Sequence, residues 1–209
     1  MPTNPNLFLE LDTHLQKDAI PSEYLNPLSA KLEFTVYPFS MLSEMKRTPQ
    51  SPKHHPEGSV WNHTMLVVDE AAKVREKSRH PRAFLWAALL HDIGKPATTK
   101  VRNGRITSYD HDKIGAEQAK EFLKVFTDDE PFILEVYNLV RYHMHILYVL
   151  NHLPFGDIPG MLRSVEIEEI ALFGLCDRLG RGNVDRKLEE AQIKAFIQKS
   201  QSMKGNVYG

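Results

Sequence analysis

The chain has 209 residues, 42% of them hydrophobic and 25% charged, a balance that excludes a disordered tail, a collagen-like fibre or a coiled-coil rod and favours one compact domain. A formal charge of -1 offers no global positive field for a nucleic-acid backbone. The single Cys176 cannot form an intramolecular disulfide, Met1 to Leu11 lacks a secretory pattern, and the apolar run Phe84 to Leu90 falls far short of the ~20 residues of a bilayer span, so the sequence predicts a cytoplasmic protein without a membrane segment.

Residues 1 to 53 form a Pro-rich collar: with Pro56, the segment holds Pro2, Pro5, Pro21, Pro27, Pro38, Pro49 and Pro52, which predicts loops and short helices, one of them from about Ser29. From Val60 to about Ser78, apolar Val60, Val67, Ala71 and Val74 recur at helical spacing with charges opposite, the pattern of an amphipathic helix. Arg82 to Asp92 is apolar nearly all round and stops at Gly94 and Pro96, as a buried central helix would. Between Thr98 and Tyr109, two β-branched runs flank Asn103-Gly104, a strong hairpin signal. Helices are predicted at about Asp112 to Phe126, Glu130 to Leu150, Ser164 to Leu179 and Asn183 to Ser200. The sum is a single all-α domain with one small β-hairpin: a collar over 1–53, a helical core over 54–182 and a C-terminal helix over 183–209.

His63 lies on the apolar stripe of its helix, three residues after Val60 and four before Val67, so its ring points inward. Taken alone it is more often a core histidine satisfied by a backbone carbonyl. His91 and Asp92 end the most hydrophobic helix, where a carboxylate is costly to bury and is opposed by the negative end of the helix dipole unless a cation is near. Asp177 shares one face with Ile170, Phe173 and Gly174, which projects its carboxylate inward beside the space a glycine leaves. Arg178 or Arg181 could neutralise it as an ordinary salt-bridge partner. Two imidazoles with two carboxylates form a mixed donor set suited to Mn, Fe, Co, Ni, Zn or Mg, with open positions for water and a phosphate oxygen.

His111 and His143 could hold a second ion or a substrate phosphate, and His143 is preferred over His145, which points to the opposite side. Lys95, three residues after Asp92, is placed to meet a substrate phosphate, although a loop lysine can equally be a solvated one. His54, His55 and Glu57 could line the entrance. Cys176 reads as a small buried apolar residue, since no activating base stands beside it in sequence.

The ordered series His63, His91-Asp92 and Asp177 resembles the HD superfamily of metal-dependent phosphohydrolases, and His91-Asp92-Ile93-Gly94-Lys95 is similar to its HDIG-type signature. HHPEGSVWNHTMLVVDEAA, from His54 to Ala72, resembles the start of the HD domain attached to bacterial tRNA CCA-adding nucleotidyltransferases, and His111, Gly115-Ala116 and the Leu139 to His143 segment fit that subgroup. No Gly-Ser motif with paired aspartates precedes it, so nucleotide addition is not expected. The resemblance implies hydrolysis of a nucleotide-type phosphomonoester or 2′,3′-cyclic phosphodiester. His63, His91, Asp92 and Asp177 would hold one divalent ion, Asp92 and Lys95 would act in catalysis, and Glu57 and Arg181 would bind substrate. Two alternatives are a dinuclear hydrolase of dinucleoside polyphosphate type and a non-catalytic nucleotide- or RNA-binding module in which Lys100, Arg102 and Arg105 of the hairpin touch phosphates. Oligomeric state is left open, since the terminal helix could pack on the core or pair between chains.

Overall fold

The computed structural model describes residues 4–182 and 184–208. In chain order its elements are α1 (Pro5–Lys17), α2 (Ser22–Leu28), a 3-10 turn (Leu32–Thr35), α3 (Phe39–Met45), α4 (Val60–Val74), a second 3-10 turn (Arg75–Lys77), α5 (Pro81–Leu90), α6 (Lys95–Thr98), β1 (Thr99–Arg102), β2 (Arg105–Ser108), α7 (His111–Lys124), α8 (Glu130–Tyr142), α9 (His145–Leu150), α10 (Ile158–Ser164), α11 (Ile167–Leu179) and α12 (Arg186–Tyr208). The architecture is all-α with one two-stranded antiparallel hairpin. Among the described residues no helix is long and apolar enough to cross a membrane.

α5 is the axis of the core. Pro81 occupies its first turn, where the missing amide proton is no loss, and every side chain from Ala83 to Leu90 is buried. α1, α4, α8 and α11 all pack against it. α4 lays down Val60, His63, Thr64, Val67, Val68 and Ala71 at helical spacing as its inner face, and the Ser59 hydroxyl caps it by accepting from the Asn62 amide. The hairpin pairs Lys100 with Thr107 and Arg102 with Arg105 across a turn in which Asn103 and Gly104 both have positive φ, the geometry that makes Asn-Gly the favoured pair there.

Several sequence expectations are corrected. The short helix expected from Ser29 is absent: Ser29 is instead the C-cap of α2, and a 3-10 turn follows. The N-terminal segment also contains a thirteen-residue helix, α1, because Pro5 sits in its first turn rather than its interior. α1 buries Leu7, Phe8, Leu11 and Leu15, and Asp12 accepts a hydrogen bond from the Trp86 indole at 2.7 Å, so this segment is part of the core. The single helix expected over Glu130 to Leu150 is broken at His143-Met144, with no glycine or proline at the break. No helix is predicted between Leu150 and Ser164, yet α10 forms there: Asp157 caps it through the Gly160 amide and Pro159 falls in its first turn. α11 accordingly starts at Ile167, not Ser164. The expected start of the last helix, Asn183, lies outside the described residues. α12 begins at Arg186 and is anchored to α11 by Arg178, which bonds Glu189 and Gln192, and by the buried Phe196.

One glycine decides how the turn after α5 meets α7. A Cβ on Gly94 would collide with the His111 carbonyl oxygen and lie 2.6 Å from the Gly115 nitrogen, so the two backbones can touch only because neither residue has a side chain. Gly94→Ala is therefore expected to lower unfolding free energy by about 1–3 kcal/mol, the range for forced overpacking, in urea denaturation. Gly182→Ala, whose added Cβ meets nothing within 4 Å, should change it by less than about 0.5 kcal/mol.

Candidate metal centre

Asp92 is almost fully buried, and its two oxygens face different groups of nitrogen atoms. Oδ2 lies 2.7 Å from Lys95 Nζ, 3.2 Å from His91 Nε2 and 3.9 Å from His63 Nε2. Oδ1 lies 3.5 Å from His111 Nε2 and 3.9 Å from His143 Nε2. Asp177 joins through His63, whose Nε2 is 3.0 Å from its Oδ1. Three of these residues come from the ends of helices: His91 just past α5, His111 opening α7 and His143 just past α8.

The tautomers follow from the partners. His91, His111 and His143 each donate Nδ1–H to a backbone carbonyl three residues back, of Ala88 at 3.0 Å, Ser108 at 2.6 Å and Val140 at 2.7 Å. A carbonyl can only accept, so each Nε2 presents its lone pair to the centre. His63 is held differently, from the other side: Nδ1 faces Glu57 Oε1 at 2.9 Å and the Gly180 carbonyl at 3.3 Å while Nε2 faces Asp177 Oδ1, so both of its nitrogens meet acceptors. Such locking of the far nitrogen is what ligand histidines require of their surroundings.

The orphaned atoms test whether a cation fits. Among the described residues His91 Nε2 and Asp92 Oδ2 are buried and make no hydrogen bond, although an ion pair brings Lys95 close to the latter. His111 Nε2 and His143 Nε2 stand 3.2 Å apart as two facing lone pairs. Polar atoms left this way destabilise a fold unless something positive occupies the space between them. The donor sets His63/His91/Asp92 and Asp92/His111/His143 each fall within 4.8 Å, and nitrogen with carboxylate oxygen suits a first-row divalent ion.

Charge states agree. Burial would raise the Asp92 carboxyl, but the neighbouring His91 ring and the Lys95 ammonium outweigh it and hold it well below the usual carboxylate range. Asp177 is likewise held down against burial by Arg181 and His63. Burial lowers His111 to about 4 and lowers His143 too, so both rings are neutral near pH 7 and free to ligate. Burial alone would lower His63, but its hydrogen bonds to Asp177 and Glu57 raise it instead.

The remaining expected residues fall into place unequally. Lys95 is buried rather than solvated, and among the described residues its ammonium makes one hydrogen bond, to Gln50 Oε1. Glu57, expected at the substrate, spends Oε1 on His63 and on His55, the latter at 2.8 Å. Arg181 reaches Asp177 Oδ2 at 3.3 Å, whereas Arg178 turns away to α12. The space beside Gly174 is filled by the Ile146 side chain. His145 is buried but faces Tyr142 and Tyr148, away from Asp92. Cys176 is buried, and burial pushes its thiol up, out of reach as a nucleophile. Sequence reasoning missed Gln50 and the buried Asp112–Arg141 ion pair, 2.9 Å long, which ties the residue after His111 to the residue two before His143. No motif marks either one.

The HD domain profile matches residues 60–181 of this chain. The chain belongs to the HD domain family. Among its curated relatives, the Multifunctional CCA protein of Actinobacillus pleuropneumoniae serotype 5b (strain L20) is 39% identical over 100 residues, covering 46% of this chain and 23% of that protein. That of Halorhodospira halophila (strain DSM 244 / SL1) is 33% identical over 141 residues, 64% of this chain and 32% of the relative. That of Haemophilus influenzae (strain PittGG) is 29% identical over 157 residues, 71% and 37% respectively. This HD domain chain thus matches between 23% and 37% of the length of these relatives. The matched span contains every residue around Asp92 named above except Gln50, His55 and Glu57.

His145 carries a pH signature of its own. Among the described residues neither ring nitrogen has a hydrogen-bond partner, and burial lowers its pKa from the ordinary 6.5 to about 4. The unfolded chain therefore binds this proton first: the stability is complete above pH 6.5 and is lost as pH falls towards 4. The shift corresponds to at most roughly 3 kcal/mol. In urea denaturation at pH 7 and pH 4.5, His145→Phe is expected to lose less stability on acidification than the wild type does.

Proposed function

We propose that this HD domain is a divalent-metal-dependent phosphohydrolase acting on a nucleotide-type phosphomonoester or 2′,3′-cyclic phosphodiester. The reading is carried by one observation: a buried, ionised Asp92 ringed by histidines whose far nitrogens are all committed to acceptors. Likeness to Multifunctional CCA proteins supports a nucleotide-type substrate. His63, His91, Asp92 and Asp177 would hold the ion. When bound, it supplies the Lewis acidity that lowers the pKa of water and polarises a phosphoryl oxygen.

The chain's own residues do the rest. Asp92 is ionised and within reach of the donor cluster, so it orients a water molecule and accepts its proton as that water attacks phosphorus and the P–O bond to the leaving oxygen breaks, the departing oxygen taking a proton from solvent. Lys95 meets a non-bridging phosphate oxygen, balancing the charge that spreads over the transferring group. Arg181 holds Asp177 ionised and lends a second cation at the rim for substrate. Assays of protein loaded in turn with Mn, Fe, Co, Ni, Zn and Mg on a panel of nucleotides and model esters are expected to show turnover, and Asp92→Ala to reduce it by at least about a hundredfold. No turnover with any metal, or an active Asp92→Ala, overturns the reading.

A dinuclear centre of the dinucleoside polyphosphate hydrolase type is the second reading, favoured by the two lone pairs of His111 and His143 facing each other beside Asp92 Oδ1. Elemental analysis then shows a second ion per chain in the wild type, lost in both His111→Ala and His143→Ala. A use of the hairpin in RNA docking rests on exposed Lys100, Arg102 and Arg105 alone. With a formal charge of -1 over the whole chain, filter-binding titrations are expected to show no salt-sensitive RNA affinity.

A further inference from the structure

We propose that Gln50, contributed by the N-terminal segment, is a positioning residue that aims the Lys95 ammonium at a substrate phosphate without cancelling its charge. The inference rests on the phosphate-ester reading above and adds a residue that lies ten positions before the HD match begins. Gln50 is 6% exposed, yet it is a polar side chain in a proline-flanked loop. Its Oε1 accepts from Lys95 Nζ at 2.6 Å, and its Nε2 donates to the Ser59 carbonyl at 3.2 Å. The second bond decides the first. A carbonyl cannot donate, so the amide nitrogen must face Ser59, and the amide oxygen is thereby turned to the lysine.

The loop itself is held in place. Pro49 and Ser59 form an isolated antiparallel bridge, the Val60 amide donates to the Thr48 carbonyl at 3.0 Å, and the Thr48 hydroxyl is bonded back to Glu44 at 2.9 Å. Ser59 is also the N-cap of α4, the helix that carries His63. Gln50 is thus a strut between the His63 helix and the Lys95 turn. Lys95, 8% exposed, is cut off from most of the water that would otherwise solvate it, and its approach to Asp92 lies outside hydrogen-bond geometry. Gln50 is therefore the acceptor that directs one N–H of the ammonium, with the Asp92 carboxylate beside it as ion-pair partner and the remaining N–H directions left for a phosphate oxygen. A glutamate at this place would pair with the lysine and compete with phosphate. The neutral amide orients the cation without adding a second carboxylate to the one Asp92 already brings to it.

The test reads binding of inorganic phosphate to the Mn-loaded protein by calorimetry, with Mn affinity and melting temperature measured alongside. Gln50→Met keeps the volume of the side chain but removes both hydrogen bonds, and is expected to weaken phosphate binding about tenfold, the scale of one hydrogen bond to a charged group. Gln50→Glu should weaken it at least as much, and adding Gln50→Met to Lys95→Met should cause no further loss, since both act through one ammonium. Mn affinity should be unchanged. Wild-type phosphate affinity in Gln50→Met, additive losses in the double variant, or a loss that tracks Mn affinity or melting temperature would each overturn the role. Absence of ester turnover in the wild type would end the hydrolase reading while leaving this binding result standing, so the two failures are separable.

Discussion

A carboxylate with almost no access to water stands at the middle of this protein, and its burial is tolerated because the Lys95 ammonium pairs with it. Asp92 is held ionised by His91 and Lys95 against a desolvation penalty that would otherwise protonate it. Remove the compensating charges and the turn after α5 has no reason to close over the carboxyl. Place a divalent ion among the same atoms and the orphaned lone pairs of His91, His111 and His143 acquire the partner they lack.

The way the histidines are aimed is economical. A helix leaves its last carbonyls without intrahelical partners, and His91 and His143, standing at the ends of α5 and α8, each use one of them to fix Nδ1. His111 uses the carbonyl of Ser108, the last residue of the hairpin. Each bond spans three residues, so each ring is oriented locally. Tertiary packing has only to bring the helix ends together. Gly94 against Gly115 and the Asp112–Arg141 ion pair do that, one by allowing backbones to touch and the other by tying α7 to α8.

The segments outside the family match support the centre. α1 closes the far side of α5 through Asp12 and Trp86, α12 braces α11 through Arg178, and the loop before α4 delivers Gln50 and Glu57 behind Lys95 and His63. The collar expected from proline content is therefore continuous with the core. Proline density correctly signalled short elements. It did not signal separateness, because prolines in first turns and loops leave the buried faces intact.

Hydrophobic period and local chemistry were enough to read most helices, the hairpin and the inward faces of His63 and Asp177, since each of these depends on residues a few positions apart. The HDIG-type run likewise declared His91, Asp92 and Lys95 at once. What stayed hidden depends on distant partners. The break at His143-Met144 has no glycine or proline to announce it, and it exists where His143 must turn towards His111 while His145 packs on tyrosines. α10 is a helix because Asp157 caps a stretch that composition marks as loop. The role of Glu57 as a brace for His63, the burial of Lys95 and the approach of Gln50 arise from contacts across tens of residues, and no local pattern encodes them. Sequence named the candidate donor side chains, because donor identity is a property of the residue. Only the folded chain decided which nitrogen each imidazole offers and which neighbours hold it there, because those follow from hydrogen bonds that close in three dimensions.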